Sequence, residues 1–499
     1  MTQTLSRLYP TKILLAVLFI AAALLRFYDL TDEPLELHPT RQLRAALIAR
    51  AFYYPTNPEI PQEEAAFAAE QLEVVGVIEP SILEYLTALL YRLNRGEATW
   101  LGRLISITFW LAGGWGVYRL ASQIGSPAGG ILALVYYLFL PFGVRFSRTL
   151  LPDVIMVACS VLSLWALYAW QQKRAIAWAV FAGAMTGFAI LVKSVAGIIL
   201  IVPFAAYILS VQPVRQSFRD RHLWLILLLA AFPTAAYYYW GLFIDGGLAT
   251  QFKGRFFPEF WTDLLLYKSW GKRILLEFSL PAFLLAMAGI VTAKQKADRR
   301  MLFGWWAGYF IYGMLFAYHT MTHDYYHLSM VPLTAVSIAP AISAIDSFAR
   351  RNNASRIAAA IFILLGLAFI AYGTTSSIRF LNQADYRHIP SDMAQLNRTL
   401  EAAPKGGLVA LTEDYETSLR FYASRNARHW PHLGDLAYFE LQGSSPQDLD
   451  TLWEITESAS YFLVSDQKEL SRQPLLAEKL GHFPILSQTE YLTLYQLSP

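Results

Sequence analysis

The sequence predicts an α-helical polytopic membrane protein of about eleven transmembrane helices with a soluble α/β domain at its C-terminus, and three observations carry that reading. Of its 499 residues, 55% are hydrophobic and only 15% charged, whereas about a quarter are charged in an ordinary soluble chain. Apolar runs recur from residue 12 to residue 374. Beyond residue 375 the usage turns ordinary and soluble, rich in Asp, Glu, Gln and Ser.

A helix needs about 20 apolar residues to cross the hydrocarbon core. Runs that qualify lie near 12–28, 100–121, 126–144, 153–170, 175–192, 195–211, 223–242, 274–293, 301–318, 326–345 and 357–374. Only the short hinge Lys193-Ser194 separates the fifth from the sixth. The first run, Ile13 to Leu25, is followed by Arg26-Phe27-Tyr28-Asp29 rather than by a small-residue cleavage site, so it reads as a retained signal-anchor. The lone cysteine, Cys159, lies in an apolar run, which excludes an intramolecular disulfide and a cysteine-based metal site. A net charge of +3 gives no nucleic-acid surface. Aromatics, at 15%, gather at the ends of apolar runs as in membrane-interface belts.

Basic residues orient the chain. A cytoplasmic N-terminus puts Arg7, Lys12, Lys173, Arg174, Arg215, Arg219, Arg221, Lys294, Lys296, Arg299, Arg300, Arg350, Arg351 and Arg356 inside, and leaves the C-terminal domain outside. The expected division is a membrane domain over 1–374 and an extracytoplasmic domain over 375–499. The membrane domain includes a long outer loop, 29–99, with amphipathic stretches Arg41 to Tyr54 and Ser81 to Leu93 that read as helices lying flat at the lipid surface. In the C-terminal domain the pattern predicts helices near 391–403, 414–424, 446–458 and 467–480, strands at 407–411 and 460–464, and a strand pair near 484–496.

Ionisable residues at membrane depth are functional candidates, and here they crowd the outer ends of helices. A transporter would instead set charges at the midplane on broken helices in two similar halves. The first cluster is Asp32-Glu33-Pro34-Leu35-Glu36-Leu37-His38-Pro39-Thr40-Arg41-Gln42, where a carboxylate can deprotonate an acceptor hydroxyl and Arg41 can grip a phosphate. It reads equally as a solvated loop with Asp32 or Thr40 as a helix cap. The second is Arg145-Phe146-Ser147-Arg148-Thr149-Leu150-Leu151-Pro152-Asp153, in which Asp153 also suits a helix dipole. Lys193, in the hinge, either binds substrate or snorkels to headgroups. His319 to His327 brings His319, His323, Asp324, Tyr325, Tyr326 and His327 together, for a metal or for hydrogen bonds to a sugar or phosphate. The outer loop 243–273 interleaves Lys253, Arg255, Lys268, Lys272 and Arg273 with aromatics, which suits an anionic lipid headgroup or a plain interface helix. His429 and His432 read as ordinary loop residues.

Several motifs in this order carry a resemblance. They are Leu25-Arg26-Phe27-Tyr28-Asp29-Leu30, Ala46-Leu47-Ile48-Ala49-Arg50, Glu79-Pro80 with Tyr85, Trp100-Leu101-Gly102-Arg103, Phe146-Ser147-Arg148 through Pro152-Asp153, Leu191-Val192-Lys193, and Tyr325-Tyr326-His327-Leu328 before Pro332. The chain resembles the GT-C glycosyltransferases of the protein O-mannosyltransferase and aminoarabinose transferase (ArnT-like) type over nearly its whole length. The resemblance implies transfer of a sugar from a polyprenyl-phosphate carrier to an extracytoplasmic lipid, glycan or protein hydroxyl, in the plasma or inner membrane. Its implied partners are the lipid-linked sugar, membrane lipids and an acceptor. No cofactor is called for, and a divalent metal is left open.

In that family an acidic pair usually opens the first flat helix, and a carboxylate there takes the acceptor's proton. Here Arg41-Gln42 hold the place, and the nearest carboxylate is Glu36, beside His38. On this reading Glu36 and Asp153 are catalytic. His38, Arg41, Gln42, Arg148, Lys193, His323, Asp324, Tyr325, Tyr326 and His327 bind substrate. The alternatives are a glycolipid flippase, or a homologue that has lost its base and serves as a scaffold.

Overall fold

Each apolar run is helical. In chain order the main membrane-domain helices are Thr2–Phe27, Trp100–Ile124, Pro127–Phe139 with Pro141–Phe146, Pro152–Lys173, Ile176–Val192, Ala196–Val211, Arg221–Tyr239, Leu280–Thr292, Lys296–Leu315, Met330–Arg351 and Ser355–Asn382. The structure, a computed structural model, describes residues 2–76, 79–244, 256–383, 386–445 and 447–497. Lys253 and Arg255 of the outer loop therefore lie outside the described residues.

By length and apolarity alone, four helices among the described residues suffice to cross a membrane: Pro152–Lys173, Arg221–Ile244, Asp324–Arg351 and Ser355–Asn382. The pair Leu264–Phe278 and Leu280–Thr292 would add a fifth span, bent by 102°. Ser279 makes that bend with φ 70°, in the left-handed region. Each run expected as a span is helical, but several are short or carry charge, so among the described residues four helices, or five with the bent pair, stand as candidate spans against the eleven expected. Trp100–Ile124, for example, contains Arg103 and Arg119.

The chain divides into two compact units. The first holds residues 1–32, 77–90 and 100–383. Prolines start its helices at Pro127, Pro141 and Pro152, where the missing N–H costs nothing. Ser126 caps the first of these by accepting from the Gly129 N–H, and Asp220 caps Arg221–Tyr239 from the His222 N–H. Arg26 is fully buried, and backbone and hydroxyl oxygens absorb its guanidinium. Its nitrogens donate to Ser147 Oγ at 2.7 Å, Ala22 O at 3.0 Å and Leu138 O at 3.0 Å.

The second unit holds residues 33–76, 91–99 and 384–499, so most of the first outer loop groups with the C-terminal residues. Its five-stranded sheet comprises β1 Gly407–Leu411, β2 Arg428–His429, β3 Ala459–Val464, β4 Ile485–Gln488 and β5 Thr493–Gln496, in the order β2-β1-β3-β5-β4. β1 runs parallel to β2 and β3, and β5 is antiparallel to β3 and β4. Alternate residues serve opposite faces. Leu408, Ala410 and Leu463 pack on Met393, Leu396, Leu400 and Leu419. Val409, Leu411, Phe462 and Val464 pack on Trp430, Leu452, Leu470, Leu476 and Leu480. The predicted strands at 407–411 and 460–464 are β1 and β3, and the predicted pair is β4 and β5. The single helix expected over 467–480 is two, Gln467–Arg472 and Pro474–Leu480, divided at Pro474. Strand β2 and the helix Leu433–Leu441 were not expected.

The outer-loop helix Pro39–Tyr53 differs from the expected lipid-surface helix. Leu43, Ala45, Ala46, Leu47, Ile48, Ala49 and Ala51 are all buried, so protein covers it on most sides. It packs on the helices Gln62–Val74, itself unforeseen, and Thr417–Ala423. Arg50 fastens it by donating to Glu97 at 3.1 Å and to the Phe421 carbonyl at 2.7 Å.

Candidate active site

In the membrane unit a buried ionic cluster forms around Lys193. This residue breaks the chain between Ile176–Val192 and Ala196–Val211, and its extended backbone carries the ammonium group away from both helices. Nζ lies 2.7 Å and 2.9 Å from the two carboxylate oxygens of Asp153, at the start of Pro152–Lys173. Glu79 stands 3.9 Å away. The rings of Tyr325 and Tyr326 lie 5.1 Å and 5.4 Å from Nζ, within reach of a cation–π attraction. Two carboxylates thus share one ammonium group.

The stretch 323–327 borders this cluster. His327 is buried with both nitrogens engaged: Nδ1 lies 2.6 Å from Tyr309 Oη and Nε2 lies 2.9 Å from the Thr320 carbonyl. A carbonyl only accepts, so Nε2 carries hydrogen. Tyr309 also accepts from Trp270 Nε1 at 3.0 Å. His327 is therefore tied into the scaffold. The His323 Nδ1 is 2.8 Å from Thr322 Oγ1, and its ring stacks near His319. Among the described residues the His319–His327 stretch forms no group with metal-ligand spacing.

Of the two arginines in Arg145-Phe146-Ser147-Arg148, Arg148 is buried and donates to the carbonyls of Tyr28 at 2.7 Å and Asp29 at 2.8 Å. Arg145 stands differently. It lines a cavity of about 350 Å³ with Leu140, Pro141, Leu275, Leu276, Glu277, Ser279, Leu280, Pro281, Phe369, Tyr372 and Ser376. Its guanidinium lies 4.2 Å from the centre of the Phe380 ring, and its buried Nε has no hydrogen-bond partner among the described residues. The break at Ser279 brings Glu277 to the same wall, where Arg273 reaches Glu277 at 3.6 Å and Asp324 at 3.9 Å. Leu275 and Leu276 are exposed at the cavity's edge. Sequence reasoning had chosen Arg148; the signal for Arg145 was only its place in the same motif.

Glu36, His38, Arg41 and Gln42 belong to the second unit. His38 has φ 48° and precedes Pro39–Tyr53, and the Arg41 and Gln42 N–H groups donate to its carbonyl. Gln42 is buried, and its Nε2 donates to Leu37 O at 2.6 Å. Glu36, His38 and Arg41 are half-buried. In this unit a cavity of about 250 Å³ is lined by Pro39, Tyr386, His388, Asp392, Thr412, Asp414, Ser465 and Tyr491 among others. It adjoins the carboxyl ends of β1 and β3, where chain connections diverge and ligands commonly sit in α/β sheets.

A family model described as dolichyl-phosphate-mannose-protein mannosyltransferase matches residues 79–240, the stretch that contains Glu79, Arg145, Asp153 and Lys193. No curated protein matches the chain in sequence. Among solved structures, ArnT from Cupriavidus metallidurans in its apo state superposes with a TM-score of 0.58 at 15% identity, over 96% of this chain and 97% of that one. The same protein bound to undecaprenyl phosphate gives 0.57 at 15% identity, with the same coverage. The archaeal oligosaccharyltransferase AglB from Archaeoglobus fulgidus, in complex with an inhibitory peptide and a dolichol-phosphate, gives 0.57 at 13% identity, over 92% of this chain and 70% of that one. The resemblance drawn from sequence motifs holds at the level of architecture: the chain has the fold shared by ArnT and AglB, and about a third of it matches the mannosyltransferase family model.

Proposed function

We propose that the chain is a glycosyltransferase that moves a sugar from a polyprenyl-phosphate donor to a hydroxyl acceptor outside the cytoplasm. The observation that carries the reading is the cavity at Arg145. An arginine whose buried Nε has no hydrogen-bond partner among the described residues shares a wall of mixed polar and apolar side chains with Leu275 and Leu276, both exposed. A phosphate on a hydrocarbon chain has that division of chemistry. The ArnT structure bound to undecaprenyl phosphate supports the same donor class.

In the proposed reaction the acceptor oxygen bonds to the anomeric carbon and its proton passes to a carboxylate. The sugar–phosphate C–O bond breaks, and its electron pair leaves with the lipid phosphate. Arg145 stabilises the charge that develops on that phosphate, a contribution that is commonly the largest in such sites. Glu36 is assigned the base, on its place in the first outer segment, with His38, Arg41 and Gln42 beside it. The Asp153–Lys193–Glu79 cluster holds the outer ends of its helices and, with Tyr325 and Tyr326, forms a polar floor for the sugar. Eleven crossings, a cytoplasmic N-terminus, an extracytoplasmic C-terminal domain and residence in the plasma or inner membrane complete the reading.

The test is release of free undecaprenyl phosphate from an undecaprenyl-phosphate sugar, followed by mass spectrometry in vesicles containing the purified chain and cell-envelope acceptors. Release by the wild type and its loss in Glu36→Gln are expected. Sugar-lipid crossing the bilayer without release would replace the transferase with a flippase. Binding without release under any acceptor would leave a scaffold, the outcome that Arg41-Gln42 in place of an acidic pair would explain.

A further inference from the structure

At the carboxyl ends of β1, β2 and β3 the second unit gathers Glu416, His429, His432, Asp435 and Asp466. Asp435 Oδ2 lies 3.2 Å from His429 Nε2 and 3.2 Å from His432 Nδ1. These three ligand atoms all fall within 4.8 Å of one another. Around a tetrahedral zinc ion with ligands at about 2.0–2.1 Å, neighbouring ligand atoms stand about 3.3 Å apart. The two distances from Asp435 are therefore those of two edges of such a site.

The far side of each imidazole is also provided for. His429 Nδ1 faces Glu416 Oε1 at 2.8 Å, and His432 Nε2 faces Asp466 Oδ2 at 3.6 Å. A carboxylate hydrogen-bonded behind a ligating histidine, as Glu416 is behind His429, fixes its tautomer and raises its basicity, and Asp466 adds negative charge behind His432. Glu416 is itself buried, accepting from Thr412 at 3.3 Å and Arg420 at 3.3 Å. Asp466 is held as the cap of Gln467–Arg472, accepting from the Glu469 N–H at 2.8 Å. Tyr415 stacks on His429 and donates its hydroxyl to Asp435 Oδ1 at 2.7 Å, which turns Oδ2 toward the histidines. Three carboxylates around two imidazoles favour a dication. His429 keeps 30% of its side-chain surface, so an ion can enter.

We infer that His429 Nε2, His432 Nδ1 and Asp435 Oδ2 bind a divalent transition-metal ion of the zinc class, with the fourth position open to water or to a ligand oxygen. Nitrogen and oxygen donors of this kind suit zinc, and cobalt as its spectroscopic substitute. The site lies wholly within the C-terminal α/β unit and does not depend on the transferase reading.

The full chain, purified in detergent and stripped with a chelator, is titrated with zinc against a chromophoric indicator and then with cobalt. The wild type is expected to bind one more equivalent than the double variant His429→Ala/His432→Ala, and to show visible cobalt bands of tetrahedral intensity. Glu416→Gln is expected to weaken zinc binding by about 10–100-fold, the usual cost of losing the carboxylate behind a ligand. If the double variant fails to fold, the cobalt spectrum of the wild type and the Glu416→Gln affinity decide. Equal zinc uptake by wild type and double variant, or a wild type without tetrahedral cobalt bands, overturns the proposal and leaves a histidine pair clamped by carboxylates.

Discussion

The ammonium group of Lys193 rests between both oxygens of Asp153, at 2.7 Å and 2.9 Å, with 7% and 1% of the two side chains exposed. Taking ions out of water is costly, and only close pairing offsets it. Removing one partner of a buried pair costs on the order of 3–5 kcal/mol. Lys193→Met leaves the almost fully buried Asp153 without its ammonium group, whereas Asp153→Asn leaves the lysine Glu79 at 3.9 Å. Thermal unfolding in detergent should therefore show Lys193→Met as the more damaging change. The double variant should lose less than the sum of the two; strict additivity would mean the pair contributes nothing.

Arg145 and Arg148 should separate cleanly. Arg145→Gln removes the cavity's cation and should lower release of polyprenyl phosphate by about 10²–10³-fold, the scale seen when one charge-stabilising donor is lost, with little change in unfolding temperature. Arg148→Gln takes the arginine's two N–H donors from the Tyr28 and Asp29 carbonyls and should appear first as lost stability. Equal turnover in Arg145→Gln and wild type would remove Arg145 from the reaction.

Tyr309→Phe breaks a chain of hydrogen bonds at its centre. It strips Trp270 Nε1 of its acceptor and takes the 2.6 Å partner from His327 Nδ1. Each buried polar group left unmatched costs about 1–3 kcal/mol. The expected result is a lowered unfolding temperature, partly restored when His327 is also made apolar; no change in stability would show that water replaces the phenol.

Gly289 lies where Leu280–Thr292 meets Met330–Arg351, and a Cβ there would run into the Ser337 carbonyl oxygen. Membrane helices associate through small residues that allow such approach. Gly289→Val should separate the two helices and reduce the yield of folded protein, while Ala286→Gly on the same helix should be far milder. Wild-type stability in Gly289→Val would show that the two helices do not approach this closely.

The helices were legible because a lipid solvent permits only long apolar segments, and Lys193 was correctly placed at a break. What could not be read was partnership across distance. The Arg145-Phe146-Ser147-Arg148 motif offers two cations, and which one stays available is decided by the carbonyls of Tyr28 and Asp29, more than a hundred positions away. The first outer-loop helix presented Leu43, Leu47, Ile48 and Phe52 at helical spacing and so read as one-sided. Ala45, Ala46, Ala49 and Ala51 also let neighbours close in on the other sides. The helix Leu433–Leu441 escaped notice because its cap is a histidine, an uncommon choice, with Asp435 reaching back to the His432 N–H at 3.0 Å. The same oversight hid the histidine cluster. Burial opposes a charge on His429, yet its bonds to Asp435 and Glu416 outweigh that and raise its pKa to about 9, an environment no reading of Trp430-Pro431 as a loop suggests.

The exposed leucines at 275 and 276 decide how such a protein would meet its substrate. On the proposed function, a lipid-linked donor that enters past these leucines arrives already dissolved in the bilayer, so encounter is a two-dimensional search and the governing quantity is the mole fraction of carrier lipid. Adding inert phospholipid at constant total substrate should slow turnover, whereas changing the aqueous volume should not.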